Sequence, residues 1–492
     1  MAYERLSAQD SMFLHIEAPH QPQHVGSLGI VGGGPLHDEA GRFRLDDVRE
    51  HIAGRLHLVP RFRKRIMNVP LDQGRPVWVD DERFDLAYHV RLTALPKPGS
   101  EAQLLALFTR IQSHLLDRRR PLWELWFVEG LEGDSVAIIQ KTHHCLVDGI
   151  SGVDVATVLF DLGPEVVTVD APPWRPVPPP SGPQLAIESV VERAVEPAEL
   201  VRSVRAAFRG PREVLGRAAE VAKVLASSTG QAPKMPWNAP ISPHRRWEPI
   251  RVPLAEVKAI KDAATADARI GRRVSLNDVV LAAVTSGLRE FLETRDQPPE
   301  PGLVLKAMVP VTMRAKEERE AAAAAGGAAL GNRVSMMNAD LPVGTADPLE
   351  RLKSISTSMA ALKEGGSAVG ADTLIQMTNY APPTVLSMAS RLLVRTRAMN
   401  LTITNVPGPQ FPLYCMGAEV REAFPYVPIV DGQALTVAVL SYNGQLGFGI
   451  TGDREVLPDL DVLANGIRAG FTELESALGA GPSPRKPRKA KT

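Results

Sequence analysis

Two adjacent histidines, His143 and His144, stand at the end of an apolar run, and Asp148 and Gly149 follow them in the stretch KTHHCLVDGISG. Histidine is the side chain best suited to take a proton near neutral pH, because its unperturbed pKa is about 6.5. A carboxylate four residues after His144 can turn back toward the ring and fix its tautomer, and a glycine lets the chain bend sharply behind that carboxylate. The spacing predicts that His144 is a general base, oriented by Asp148, that activates a hydroxyl group of the substrate itself.

Other interpretations of the same stretch stay open. A histidine near a protein core is often purely structural. The set His-His-x-x-x-Asp could supply metal ligands, but neighbouring strand residues point to opposite faces, so His143 and His144 would not ordinarily share one ion. We therefore expect no metal. Cys145 could act as a nucleophile, although only its position supports that role.

The elements that must position these residues can be predicted from the periodicity of apolar side chains. The run before the histidines is typical of a strand, and the segment after them has helical spacing. The second half contains a strong helix, a buried strand, and a strand pair joined at Asn443-Gly444, the strongest short hairpin signal. The segments are, in the same order, DSVAIIQKTHH, GVDVATVLFDL, LNDVVLAAVTSGLREFL, GLVLKAMVPVTMR and QALTVAVLSYNGQLGFGITGD. Both halves therefore mix strands and helices, which predicts an α/β (α+β) fold.

The clearest break in the chain is APPWRPVPPPSGPQ, residues 171–184, which contains seven prolines. Proline fixes φ and cannot donate a ladder hydrogen bond, so this stretch predicts a stiff, extended connector. We expect an N-terminal domain over residues 1–180 and a proline-rich, helical connector over 181–240. A C-terminal domain over 241–480 and a disordered basic tail over 481–492 complete the expected organisation.

Composition limits the class of protein. A chain of 492 residues is too long for one core, so two domains are expected. The 56 basic and 56 acidic residues cancel, which argues against a nucleic-acid partner held by a basic field. No uninterrupted apolar stretch reaches the roughly 18 residues needed to span a bilayer, and the N-terminus lacks the apolar core of a signal peptide. Two cysteines suggest a reducing compartment, so we expect a soluble, cytoplasmic protein.

Several motifs in order carry a family resemblance. The stretch HHCLVDG matches the HHxxxDG signature of coenzyme A-dependent acyltransferases of the chloramphenicol-acetyltransferase-like fold, which condensation domains share. Further stretches resemble the motifs of the bacterial wax ester synthase/diacylglycerol acyltransferase family, and the similarity extends from about residue 5 to 475. They are LSAQDSMFLHIEAPHQPQHVGSL, PVWVDDERFDLAYHV, RRPLWELWFVEGL, SLNDVVLAAV, MVPVTMR with LGNRVS, and TNVPGP.

The resemblance implies two similarly built domains, each a mixed β-sheet with flanking helices, and an active-site tunnel at their junction. Acyl-CoA would enter from one side and a lipid hydroxyl from the other. His144 corresponds to the family's general base, His143 to its supporting neighbour, and Asp148 to the orienting carboxylate, with Gly149 behind it. Acyl-CoA is then a substrate, and no cofactor is expected.

The resemblance also suggests roles for residues elsewhere in the chain. Asn277 and Asp278 match an Asn-Asp pair near the site; we select Asn277 as the oxyanion donor and Asp278 as structural support. Residues expected to shape the substrate channel are Pro121, Leu122, Trp123, Thr402, Thr404 and Asn405. An unpaired buried carboxylate is costly, so we expect a cationic partner for Asp148. Arg314, at the end of an apolar strand, is the candidate.

The predicted activity is transfer of a fatty acyl group from acyl-CoA to diacylglycerol, which makes triacylglycerol. Long-chain alcohols, which would give wax esters, are the second acceptor. A condensation domain and a non-catalytic lipid-binding or lipid-body protein are the alternatives. The basic amphipathic stretch PPTVLSMASRLLVRTRAMN suits a membrane interface and the protein core equally. Together with the tail PRKPRKAKT, it suggests a peripheral position on the inner face of a membrane or on lipid bodies.

Overall fold

The computed structural model describes residues 3–72, 74–147, 159–189, 191, 232–312, 334–364 and 398–479. The strands, in chain order, are β1 (Glu4–Arg5), β2 (His24–Gly32), β3 (Lys64–Met67), β4 (Val77–Asp80), β5 (Val90–Ala94), β6 (Trp123–Leu131), β7 (Ser135–His143), β8 (Arg245–Pro253), β9 (Leu305–Thr312), β10 (Val334–Leu341), β11 (Leu401–Pro407), β12 (Tyr414–Cys415), β13 (Ala418–Tyr426), β14 (Leu435–Tyr442) and β15 (Gln445–Asp453).

The helices are α1 (Ala8–Ile16), α2 (Leu45–Arg55), α3 (Leu86–His89), α4 (Glu101–Ser113), α5 (Leu254–Ala266), α6 (Leu276–Glu293), α7 (Pro348–Glu364) and α8 (Leu460–Leu478). Residues 182–189 are also helical. Short 3-10 turns lie at Gly34–Leu36, Leu56–Leu58, Pro60–Arg63 and Pro70–Asp72.

The first large sheet has the strand order β12-β13-β2-β7-β6-β5. Its central strand β7 pairs antiparallel with both β2 and β6, which confirms the strand predicted to end at the histidines. Alternate residues of β7 enter different cores, because successive side chains point to opposite faces. Val136 and Ile138 pack with β6 residues and α2, whereas Ala137 and Ile139 pack against α4. Both faces are thus covered.

The second large sheet has the order β10-β9-β11-β14-β15-β8. The largest core of the described residues lies between one of its faces and helices α5, α6, α7 and α8. The predicted helix in this half is confirmed as α6, and its apolar stripe, including Val280, Val284 and Phe291, is buried. The predicted hairpin joins β14 and β15. Asn443 and Gly444 have φ values of 43° and 81°, as a type I′ turn requires.

The second half of the chain contributes a strand pair to the first sheet, which the sequence did not lead us to expect. Strands β12 and β13 come late in the chain, yet β13 pairs antiparallel with β2 of the first sheet. On the way, β13 crosses β15 so closely that Cβ atoms added at Gly447 and Gly449 would lie 2.2 Å from the Ala423 carbonyl oxygen and 1.8 Å from that of Pro425. Only glycine permits this approach. A linear division of the chain therefore does not separate the two sheets.

The proline-rich connector has no regular secondary structure over residues 171–181, as its composition predicts, but a helix begins at residue 182, so the extended stretch ends three residues earlier than predicted. It lies along the small sheet formed by β1, β4 and β3, where the Val177 N–H donates to Asp80 at 2.9 Å. The predicted fold class is confirmed: two mixed sheets with flanking helices. Several predictions lie wholly or mostly outside the described residues, namely most of the helix after the histidines, most of the helical connector after residue 191, the amphipathic stretch before residue 398, and the tail.

Candidate active site

The two histidines lie at the C-terminal end of β7. His143 is the last residue of the strand and pairs with His24 at the start of β2. Its N–H donates to the Leu122 carbonyl oxygen at 2.9 Å, and the N–H of His144 donates to the Gln23 carbonyl oxygen at 2.9 Å. His143 is completely buried, whereas His144 is partly exposed. Of the two histidines, His144 is therefore the one that retains solvent-exposed surface.

The His144 ring stacks on the Phe13 ring, with 3.9 Å between the ring centroids and 9° between the planes. Phe13 lies on α1, whose N-terminus is capped by the Ser7 side chain, which accepts the Asp10 N–H at 3.0 Å. Sequence reasoning did not select Phe13. The only available signal was its place in the N-terminal stretch that carries part of the family resemblance.

The His143 ring is fixed on both sides. Its Nδ1 accepts the Cys145 N–H at 3.1 Å, so the proton of the neutral ring must be on Nε2. That atom lies 3.3 Å from Oε1 of Glu17, and His24 Nε2 lies 3.5 Å from the same oxygen. His143 therefore has a defined tautomer and supports the strand end, and its side chain is buried from solvent.

Glu17 is the second residue that sequence reasoning missed. Its side chain is only 3% exposed, and Arg118 binds its other oxygen, Oε2, at 2.7 Å. Burial by itself raises the pKa of Glu17, but the contacts with His143 and His24 outweigh burial and hold this pKa well below its usual range. Burial lowers the pKa of His24 to about 3. At neutral pH, Glu17 is thus a buried anion beside a neutral His24.

The nucleophile role considered for Cys145 finds little support. Cys145 is buried, and burial raises the pKa of its thiol well above the usual value, which removes the thiolate that a nucleophile needs. Within the described ranges, no group of three or more histidine, cysteine, aspartate or glutamate side chains is arranged to hold a metal ion.

The Asn-Asp pair lies in the first turn of α6. Asp278 forms a capping box with Ser275: the Ser275 N–H donates to Asp278 Oδ2 at 2.8 Å, and the Asp278 N–H donates to Ser275 Oγ at 3.2 Å. Asn277 is partly buried, and its Oδ1 accepts from Asn405 Nδ2 at 3.3 Å. The structure thus brings two of the predicted site residues, Asn277 and Asn405, together.

Thr402 and Thr404 lie on the face of β11 opposite Leu401 and Ile403, whose side chains fill the core of the second half. In the parallel register with β14, Thr404 is adjacent to Ala438, and Ala438 pairs with Gly449 of β15. Because register neighbours share a face, both threonines are on the side of the sheet that β13 crosses. This is the side turned toward the first half, as a role at the junction requires.

Three of the residues expected to shape the substrate channel are part of the core. Pro121, Leu122 and Trp123 are buried, and the Trp123 indole N–H donates to the Phe62 carbonyl oxygen at 2.8 Å. The Trp123 ring stacks on His89, with 4.5 Å between centroids. Together with the Leu122 contact to His143, this packing holds the end of β7 from inside. Their role in a substrate channel stays a prediction.

The loop between α1 and β2 connects the histidine end of β7 to the second half. The Asp431 N–H donates to Gln21 Oε1 at 2.7 Å, His20 Nε2 lies 3.2 Å from Asp431 Oδ2, and Arg245 Nη2 donates to the His20 carbonyl oxygen at 2.5 Å. The histidines therefore lie near the junction of the two halves. Asp148, Gly149 and Arg314 lie outside the described residues, so their predicted contacts stay predictions.

Comparison with known proteins identifies the fold and the family of the chain. The fold matches a starter condensation domain of rhizomide synthetase, solved with C8-CoA, with a TM-score of 0.55 and 12% identity over 97% of this chain and 95% of that one. At this identity the match shows the fold alone: the two-domain fold of acyltransferases and condensation domains.

The family is shown by closer matches. Residues 6–280 match the wax ester synthase/diacylglycerol acyltransferase catalytic domain, and residues 330–475 match the C-terminal domain of that family. A Mycobacterium tuberculosis protein named probable diacylglycerol O-acyltransferase tgs1 is 33% identical over 482 residues, covering 95% of each chain. The solved wax ester synthase/diacylglycerol acyltransferase from Marinobacter aquaeolei VT8 aligns with a TM-score of 0.66 and 28% identity, over 97% of this chain and all of that one. The chain belongs to this acyltransferase family, which confirms the resemblance.

Proposed function

We propose that the protein transfers a fatty acyl group from acyl-CoA to a lipid hydroxyl, with diacylglycerol as the preferred acceptor and long-chain alcohols as the second. The observation that carries this proposal is the position of His144, a partly exposed residue whose ring stacks on Phe13 near the junction of two halves with the family's fold. The names of the relatives support both acceptors.

In the proposed mechanism, His144 takes the proton of the acceptor hydroxyl while the oxygen attacks the thioester carbonyl carbon. A tetrahedral intermediate forms with the negative charge on the former carbonyl oxygen. Its collapse breaks the carbon–sulfur bond, and the protonated His144 returns the proton to the CoA thiolate. The products are an ester and free CoA. These reaction steps require neither a redox step nor a cofactor.

Asn277 is the proposed donor to the oxyanion. The contact with Asn405 uses the carbonyl oxygen of the Asn277 side chain, so the NH2 group is the part that can donate to another oxygen. The residue lies in the first turn of α6, where the helix dipole favours negative charge. One such donor contributes about 3 kcal/mol to the transition state.

An acyl-transfer assay with diolein and hexadecanol tests the proposal. His144→Ala should lower the rate by about 10²–10⁴ with either acceptor and leave the fold intact, because the residue is partly exposed. His143→Ala should instead lower stability, because its ring is buried between Glu17 and Cys145.

Equal losses in both variants, with both fully folded, would contradict the assigned roles. No transfer by the wild type to either acceptor would favour the non-catalytic lipid-binding alternative. A higher rate with hexadecanol than with diolein would make the protein primarily a wax ester synthase.

We also propose that the protein binds lipid surfaces peripherally. Among the described residues, no helix has both the length and the apolar character needed to cross a bilayer. The sequence PRKPRKAKT can contribute roughly 1 kcal/mol per basic residue near an anionic surface. High salt should release the protein from anionic vesicles, with neutral vesicles as the control. Release by detergent alone would refute the electrostatic attachment.

A further inference from the structure

Helix α1 and its C-terminal cap contact both members of the histidine pair. Phe13 stacks on the ring of His144, and Glu17, four residues later, lies 3.3 Å from the ring of His143. The two residues are also linked directly, since the Glu17 N–H donates to the Phe13 carbonyl oxygen at 3.2 Å. One short segment therefore determines the surroundings of both rings.

Glu17 is also connected to the backbone of His144. Its Oε1 accepts the Gln23 N–H at 3.2 Å, and the Gln23 carbonyl oxygen accepts the His144 N–H at 2.9 Å. Through one intervening residue, the carboxylate thus fixes the position from which the His144 ring extends. Phe13 fixes the plane of that ring.

The surroundings of Glu17 argue against a purely packing role. A carboxylate that is 3% exposed is costly to bury, and an apolar residue of similar volume would fill the same space more favourably. Arg118 compensates part of this cost, because its guanidinium binds Glu17 Oε2 and also donates to the Leu14 carbonyl oxygen at the end of α1. The same ion pair anchors the helix that carries Phe13.

We propose that Phe13 and Glu17 are positioning residues that hold the His144 imidazole in the orientation required for proton transfer. The inference rests on the proposed function, in which His144 is the general base. Neither residue needs to touch the reacting atoms. A base displaced by about 1 Å can lose on the order of 10² in rate, so small movements of this ring are sufficient to affect turnover.

The test measures kcat and KM for acyl-CoA and diolein, together with thermal stability, in the full-length protein. Phe13→Leu removes the stacked ring, Phe13→Tyr retains it, and Glu17→Gln keeps the shape of the side chain but removes its charge. Asp38→Asn is the matched control, because Asp38 forms a surface ion pair with the exposed Arg42. Wild type and His144→Ala are measured in the same series.

We expect kcat to fall about 10- to 100-fold in Phe13→Leu and Glu17→Gln, with KM within about threefold of the wild-type value. Phe13→Tyr should retain most of the wild-type kcat, and Asp38→Asn should have the wild-type kcat. If Phe13→Leu does not fold, Phe13→Met, which keeps the apolar bulk without a ring, takes its place, and Glu17→Gln independently decides the role of Glu17.

An unchanged kcat in folded Glu17→Gln would overturn the role of Glu17. A raised KM with unchanged kcat in Phe13→Leu would make Phe13 a wall of the binding site instead. Full activity in His144→Ala would overturn the general-base role on which this inference rests. No transfer by the wild type would overturn the proposed function itself, so the two failures are distinguishable.

Discussion

Replacement of Gly449 by alanine should disturb the contact between the two sheets. Gly449 lies on β15 where β13 crosses, and a Cβ atom there would lie 1.8 Å from the Pro425 carbonyl oxygen. Real Cβ contacts of this kind do not fall below 3.0 Å, so β13 and β15 must separate by more than about 1 Å. The obstacle is backbone, and no side-chain rotation can relieve it.

The magnitude follows from the elements that must move. Overpacking of a core usually costs 1–3 kcal/mol, and the upper end applies here because Pro425 pairs with Ser27 of β2 and cannot move alone. We therefore expect a loss of about 3 kcal/mol. For a chain of 492 residues that unfolds as one unit, that loss corresponds to an apparent Tm lower by roughly 3 °C. Since β2 also pairs with β7, the strand that ends at the histidines, acyl transfer should fall as well.

Thermal unfolding and acyl transfer to diolein, measured on Gly449→Ala and wild type, check this prediction. Gly34→Ala is the control, because a methyl group added at Gly34 has no neighbour within 4 Å. It should match the wild type in both measurements. A Gly449→Ala variant with wild-type Tm and rate would show that the crossing of β13 over β15 is not as close as described, and the reasoning would be wrong.

Three further predictions concern the surroundings of the histidines. Cys145→Ala should retain nearly full transfer activity in the diolein assay, because burial keeps the thiol protonated; a loss comparable with His144→Ala would restore Cys145 as a nucleophile. Acid should destabilise the protein through His24, whose pKa is about 3 in the folded state and about 6.5 in the unfolded chain. Between these pH values the unfolded chain binds one proton more than the folded protein. The contribution of His24 to stability is therefore complete above pH 6.5 and is lost as the pH falls toward 3. In urea titrations at several pH values, the free energy of unfolding should depend less steeply on pH for His24→Gln than for the wild type. An unchanged slope would contradict the role of His24. Arg314→Ala should lower both activity and stability if Arg314 pairs with Asp148, and a variant indistinguishable from wild type would end that assignment.

Local features were predictable because they depend on residues close together in the chain. The strand that becomes β7, the amphipathic helix α6 and the hairpin at Asn443-Gly444 all follow from periodicity or turn chemistry within a short window. The placement of His144 at a strand end follows in the same way. The family motifs then supplied the two-sheet architecture that periodicity alone does not specify.

The missed features depend on contacts between distant segments. Phe13 and Glu17 meet the histidines only after β2 pairs with β7, more than a hundred residues later in the chain. The pairing of β13 with β2 is equally invisible, because strand periodicity does not name a partner. Gly447 and Gly449 resemble ordinary strand glycines in the sequence, and their requirement arises only from the strand that crosses them.

The late position of β13 affects the order in which the protein can fold during synthesis. Strand β2 ends at Gly32, but its neighbour β13 begins only at Ala418. At about 5–20 residues per second, a ribosome needs tens of seconds to synthesise the intervening chain. Throughout that interval, one side of β2 presents unpaired backbone groups, which are a template for pairing with other chains. The first half expressed alone would therefore keep an open sheet edge and should aggregate, whereas co-expression with the second half should restore soluble protein.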